Sequence, residues 1–270
     1  MTSPTVDLTV DNAVATLTLN SPANRNALSF RLMDELAAAL AAAVADPAVR
    51  VIVLSHAGPV FCAGADLRET SAAVAAGTPL PVMRVAELLA DFWECPKPVI
   101  ARVGGPARAG GLGLLATADL VVAAESATFA FTEVRLGVVP AAISPVVLPR
   151  LTPRGAAELY LTAEPVTAAR AADFGLVTAV VGGDGLDAAV AAYATALVKG
   201  APGALEATKR LCRDGAGAVL GEGPAPSAMR ARLVAAAAVS ARTFAGAEGR
   251  EGLAAFADKR PPTWGVTPDR

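Results

Sequence analysis

Phe61-Cys62-Ala63-Gly64-Ala65-Asp66 and, about forty-five residues further on, Ala109-Gly110-Gly111-Leu112-Gly113 are two glycine-rich turns, each placed where a helix begins. The first N–H groups of a helix have no intrahelical acceptor, and glycine lets another group come close to the backbone. If the turns meet, the N–H groups of Ala65 and Gly110 can hold one oxygen as it becomes an anion. The plainer reading is that both are tight connections.

Strand, turn and helix recur on either side of them. Alternation in Val6 to Val10 and Val14 to Leu19, with Asp11-Asn12 between, predicts an amino-terminal hairpin. A loop over 20–27 follows, and Ser29 is the expected N-cap of a helix through Val44 that Asp46-Pro47 stops. Val49 to Ser55 is a buried strand, a short helix starts near Asp66, a loose segment runs through Pro81, and a helix covers Val82 to Cys95. Val99 to Val103, Leu120 to Ala124 and Ala127 to Phe131 are strands, with a short helix from about Gly111 to Ala118. From Pro153 the pattern is mostly helical, with one strand at Leu176 to Val181 and late helices near 184–199, 202–213, 226–244 and 248–257. These carry more apolar surface than an isolated appendage tolerates, so they are expected to dock on another subunit.

The fold class is therefore α/β with much helix. The chain has 270 residues and is 54% hydrophobic, ample for a core, and much of that count is alanine suited to close-packed helices. No apolar stretch reaches the roughly twenty residues of a membrane span, and the start has no signal core, so a cytoplasmic enzyme is expected, with no membrane partner. Cys62, Cys95 and Cys212 are scattered without a C-x-x-C pair, against both a disulfide framework and a zinc site. A net charge of −2 without a basic run argues against nucleic acid.

Other catalytic apparatus is sparse. His56 is the only histidine, no G-x-S-x-G accompanies it, and it reads as a satisfied loop residue. Gly111-x-Gly113-x-x-Ala116 after a strand, with Glu133 about twenty residues on, formally matches a dinucleotide fingerprint. The helix that would cross the sheet has barely two turns before the strand at Leu120, too short for that unit.

Phe61 to Leu67, Ala101 to Asp119 and Phe131-Thr132-Glu133-Val134-Arg135-Leu136-Gly137-Val138-Val139-Pro140 together resemble the successive signature segments of the enoyl-CoA hydratase/isomerase (crotonase) superfamily. The resemblance runs from the hairpin, Asn20-Ser21-Pro22 and Asn26-Ala27-Leu28 to Phe256-Ala257-Asp258-Lys259-Arg260-Pro261, essentially the whole chain. It implies a spiral of ββα units, a core over 1–195 with the CoA-ester site, and a helical oligomerisation region over 196–270 that trimerises the chain, commonly into hexamers. It implies an acyl-CoA thioester as substrate, with Ala65 and Gly110 as oxyanion donors and Glu133 as acid/base. The Ala63 carbonyl and the backbone near Asp66 and Leu67 would meet the CoA adenine; Arg25, in the loop before Ala27, would approach its phosphates, and Ala27 would also contact CoA. Phe256 and Lys259 would reach CoA from a neighbouring subunit. No metal or redox cofactor is implied, CoA being part of the substrate.

Hydratases of the family commonly use a pair of glutamates. The place of the first is Gly113 and that of the second is Glu133, so one expected carboxylate is missing. A lone carboxylate suffices to move a proton between carbons of an allylic system, whereas hydration also needs a positioned water, activated by Glu133 alone or by an acid such as Glu69 or Glu125. Phe129 to Gly137 and Ala141 to Pro145 resemble a branch acting on branched or glutaconyl-type CoA esters, some members of which are regarded as hydratases. Ala109, usually glycine, and Arg108, usually apolar, depart from the family; Arg108 would pair with an acidic acyl group or point to solvent. The acyl pocket is expected between the segment around Thr70 to Leu89 and Val138 to Ile143. The expected activity is that of an enoyl-CoA hydratase or isomerase, with double-bond isomerisation by Glu133 alone and catalytically silent CoA-ester binding as the alternatives.

Overall fold

The computed structural model describes residues 3–215 and 228–265. A hairpin of β1 (Val6–Asp11) and β2 (Val14–Leu19) opens a six-stranded sheet that continues with β3 (Val51–His56), β4 (Val99–Val103), β6 (Leu120–Ala124) and β9 (Ala179–Val181) in the order β1-β2-β3-β4-β6-β9. Only the hairpin is antiparallel; from β2 to β9 neighbours run parallel, so a helix returns the chain between them. Those crossovers include α1 (Phe30–Ala45), the pair α2 (Leu67–Ala76) and α3 (Pro81–Glu94), and α4 (Gly110–Thr117).

β3 is buried along its whole length because apolar layers cover both sheet faces. One contains Leu17, Leu19, Ile52, Leu54, Phe61 and Phe92; the other packs Val51, Val53, Ile100 and Val122 under α8 (Leu186–Val198). Ser29 caps α1 by accepting from the Leu32 N–H at 3.3 Å, and Asp66 caps α2 by accepting from Arg68 at 2.9 Å and Glu69 at 3.3 Å.

A second, smaller sheet has the order β5 (Ala107–Arg108), β7 (Thr128–Ala130), β8 (Val166–Thr167), and the bridges Leu28 to Ala65 and Cys62 to Ala107 extend it. After β2, β3, β4 and β6 the chain thus passes to this second layer before a helix returns it. That is the ββα spiral, and it explains why both glycine turns come to the same edge.

Sequence and structure differ where elements are short. Two-residue strands β5 and β8, and the single turns after β7, lack enough residues to show a period. The strand placed at Leu176 to Val181 is confined to β9, and His56 ends β3 rather than lying in a loop. The late helices are α8, α9 (Pro202–Asp214), α10 (Ala228–Ala245) and α11 (Ala247–Ala257); residues 226 and 227 of the expected third one lie outside the described residues. α10 lies along α3 of its own chain, burying Leu233, Ala237 and Ser240.

The loop before α1 is tied down by Asn26, which has no exposed surface. Its Oδ1 accepts from Ser21 N–H at 2.8 Å and its Nδ2 donates to the carbonyls of Ala57 at 3.0 Å and Val60 at 2.8 Å. Alanine there leaves buried polar groups unpaired, so Asn26→Ala should lose about 3 kcal/mol of stability. Urea denaturation would measure that loss as a lower midpoint at unchanged slope.

Candidate active site

The first turn is held on three sides by backbone. Ala63 N–H donates to the Arg25 carbonyl at 3.0 Å, Leu28 N–H to that of Gly64 at 2.7 Å, and Asp66 N–H to that of Leu28 at 3.3 Å. Gly64 has φ +89°, and a Cβ there would stand 2.8 Å from Ala109 Cβ and 3.4 Å from Gly110 N, so glycine serves both the conformation and the closeness of the turns. The second turn is fixed by Arg108 N–H on the Cys62 carbonyl at 2.9 Å and Ala109 N–H on that of Ala130 at 3.1 Å. A Cβ built on Gly110 would lie 3.9 Å from Ala65 N. Among the described residues, neither Ala65 N–H nor Gly110 N–H has an acceptor. Gly110 begins α4, so the positive end of that helix adds to its N–H.

Ala109 has φ 48° and ψ −121°, a conformation that glycine adopts freely and alanine does not. Ala109 lines the same cavity as Ala65 and Gly110. Strain of this kind costs on the order of 1–3 kcal/mol and persists because the bonds on either side determine the turn.

Glu133 starts a single turn, Glu133–Leu136, directly after β7. Val138 N–H closes the turn onto the Glu133 carbonyl at 3.0 Å, and α11 packs against it from outside. The side chain is 9% exposed, its Oε2 is buried with no hydrogen-bond partner, and burial pushes its pKa up to about 7 against the pull of its own backbone N–H. Behind it the Tyr160 ring lies 4.6 Å from that of Phe131, and the Tyr160 hydroxyl is 3.3 Å from Ser144 Oγ. Burial, and then the Glu133 charge, raise the Tyr160 pKa.

One cavity of about 70 Å³ joins these parts. Ala63, Ala65, Leu67, Ala109, Gly110 and Glu133 face it, as do Val82 and Val85 from α3 and Val138 to Ile143 except Ala141. Its walls are otherwise Thr132 and Leu136, and Ser240 and Phe244 from α10. The last two were not legible in advance, because nothing local in an alanine-rich helix marks the face that reaches a site one hundred residues away. Of the remaining expected residues, Asp66 is engaged as a helix cap, Arg25 is exposed with its carbonyl on the first turn, and Ala27 is buried beside that turn. Phe256, 53% exposed, and Lys259 stand at the end of α11, away from this chain's cavity.

Arg108 points neither into the cavity nor freely to solvent. Its Nη1 donates to the carbonyls of Ala107 at 2.9 Å and Thr128 at 2.7 Å, and its Nη2 to Thr128 Oγ1 at 2.9 Å. Glu69 accepts from Phe30 N–H at 2.8 Å at the start of α1, and Glu125 is exposed beside Gly182, so neither acid reaches the site. His56 Nε2 accepts from Gly104 N–H at 2.9 Å and its ring meets Phe61 edge-on; its Nδ1 is buried without a partner, and burial lowers its pKa. No cluster of His, Cys, Asp and Glu suited to a metal occurs among the described residues.

A pair of unengaged N–H groups and a buried carboxylic acid on one apolar cavity are the parts that could hold a developing oxyanion and exchange a proton beside it. The enoyl-CoA hydratase/isomerase family profile matches residues 9–267. The structure of an enoyl-CoA hydratase from Mycobacterium avium superposes with a TM-score of 0.82 at 41% identity, over 98% of this chain and 100% of that one. A methylmalonyl-CoA decarboxylase in complex with 2-nitronate-propionyl-CoA superposes with a TM-score of 0.79 at 27% identity, over 97% of this chain and 98% of that one. The 2,3-dehydroadipyl-CoA hydratase of Escherichia coli strain K12 is 34% identical over 250 residues, 92% of this chain and 94% of that protein. The chain belongs to the enoyl-CoA hydratase/isomerase family, and its fold is the crotonase fold.

The strained turn and the buried acid each have a thermodynamic signature. Ala109→Gly relieves the turn at some cost in chain entropy, and a melting experiment should show a net gain of about 1 kcal/mol. Burial makes the folded protein hold the Glu133 proton to higher pH than the unfolded chain does, so stability falls as pH rises from 4.5 to about 7 and then levels. Glu133→Gln abolishes that contribution, and in denaturation at pH 5 and pH 8 it should gain about 3 kcal/mol on the wild type at the higher pH only.

Proposed function

We propose that the protein is an acyl-CoA enzyme that forms a thioester enolate, with Glu133 as its acid/base. The observation that carries this reading is the buried, unpartnered Glu133 Oε2 on the same cavity as the free N–H groups of Ala65 and Gly110. The thioester oxygen accepts from those N–H groups, which bind it more strongly as it gains charge; losing one such donor costs about 3–4 kcal/mol in a transition state. Glu133 in its carboxylate form takes a proton from carbon. A pKa of about 7 makes it a stronger base than an ordinary glutamate while leaving much of it ionised near neutrality.

Among the described residues Glu133 is the only carboxylate facing the cavity, which favours return of the same proton to another carbon, a shift of the double bond. Hydration is the second reading, favoured by the names of the relatives, and it requires Glu133 to serve both water and carbon. In this proposal Ala63, Asp66, Leu67 and Arg25 hold the CoA moiety. Phe256 and Lys259 reach it from a neighbouring subunit of a homotrimer or hexamer, the enzyme acts in the cytoplasm, and no added cofactor takes part.

Glu133→Gln should lower turnover by roughly 10²–10⁴ and leave CoA-ester binding nearly intact. The wild-type rate of proton abstraction should rise with pH through about 7. Incubation with 2-enoyl and 3-enoyl CoA in deuterated water reads exchange, isomerisation and hydration together; binding without any exchange at carbon would mark a catalytically silent CoA-ester binder and end this reading.

A further inference from the structure

Gly113, in the middle of α4, is buried and has no side chain to offer the cavity. A Cβ built on it would stand 2.8 Å from Ile143 Cγ2, 3.1 Å from Leu89 Cδ1 and 3.3 Å from Ile143 Cβ. Carbon atoms pack best at about 3.5–4.0 Å, so even a methyl group overlaps Ile143, and a glutamate there would have to displace Ile143 or Leu89. The position is therefore filled from across the cavity. Leu89 has no exposed surface and Ile143 is 3% exposed.

Ile143 is held in place. It ends the turn Ala141–Ile143, where Ala142 N–H donates to Ser240 Oγ at 3.0 Å and the Ser240 hydroxyl donates to the Val139 carbonyl at 2.7 Å. On the other side the Ser144 hydroxyl donates to the Pro140 carbonyl at 2.6 Å. These bonds commit the hydrogens of both hydroxyls, so Ser240 Oγ and Ser144 Oγ can only accept, and a water at the Gly113 wall otherwise meets the hydrocarbon of Ile143 and Leu89 where it needs two to four polar partners.

We propose that Ile143, backed by Leu89, is the residue that sets reaction specificity: it closes the Gly113 side of the cavity to a second acid and to a held water, and so confines the site to proton transfer by Glu133. This rests on the proposed enolate chemistry. Hydration forms a C–O bond at the β-carbon and a C–H bond at the α-carbon; one proton leaves water and one arrives at carbon. The double-bond shift breaks one C–H bond and forms another, and a single carboxylate carries that proton between them.

The test compares wild type, Gly113→Glu, Ile143→Ala and the double variant with crotonyl-CoA in deuterated water, reading 3-hydroxyacyl-CoA formed against deuterium gained at carbon. The expected results are a low wild-type ratio, a Gly113→Glu protein that melts earlier with no higher ratio, and a double variant with a ratio raised at least tenfold. Ile143→Ala alone should raise it less than the double variant does. A wild type that hydrates as fast as it exchanges overturns the proposal. So does a Gly113→Glu variant that hydrates faster with unchanged melting, or a double variant that retains exchange and a cooperative melt yet hydrates no better than wild type. Absence of exchange in the wild type would instead refute the enolate reading itself.

Discussion

A backbone N–H without an acceptor costs more the less water reaches it, and this fold keeps a pair of them, at half-buried Ala65 and buried Gly110. Around Ala65 and Gly110 nearly every neighbouring main-chain group is used: Leu28 on Gly64, Asp66 on Leu28, Arg108 on Cys62, Ala109 on Ala130. Those bonds are the edge of the small second sheet, and they hold the turns so that the free donors face one cavity. The spiral topology follows from the same constraint, since parallel strands need a helix between them and each helix start delivers fresh N–H groups to the same side. Relaxing the turns would let the donors find carbonyls of their own. The strained Ala109 shows that they do not relax.

The charge of the site is arranged by exclusion. Glu133 sits among apolar walls with no cation facing the cavity among the described residues, so burial outweighs the pull of its own backbone N–H and raises its pKa. An arginine adjacent to the second turn would have reversed that, but Arg108 spends its guanidinium on Thr128 and Ala107. The outcome is an acid that titrates near neutrality beside donors that favour a negative oxygen. In the proposed chemistry two groups of that kind complement each other in time: the carboxylate would lose its charge as the oxygen gains one.

Much was legible from sequence because it is local. Ser29 and Asp66 announce helix starts, Val99–Val103 and Leu120–Ala124 read as strands from short apolar runs, and the motif around each glycine turn points to exposed N–H groups. β5 and β8 escaped notice because two residues carry no period, and Ser240 and Phe244 because their role depends on α10 lying over a cavity built by residues far earlier in the chain. Arg108 stayed ambiguous for the same reason: two of its three acceptors, both on Thr128, lie twenty residues on, across a sheet that only forms in three dimensions.

The sequence by itself determined that two glycine turns with exposed N–H groups exist, through residue type and short spacing, and its resemblance to the family implied that Glu133 is the acid beside them and that Gly113 stands where a second acid would be. Only the tertiary structure decided that the donors share one cavity, that Glu133 is dry enough to hold its proton to about pH 7, and that the space beside Gly113 is closed. A glycine leaves a gap in the chain's own side chains, but whether the gap is room or wall depends on what packs into it from elsewhere. Here that is Ile143, pinned between two serines.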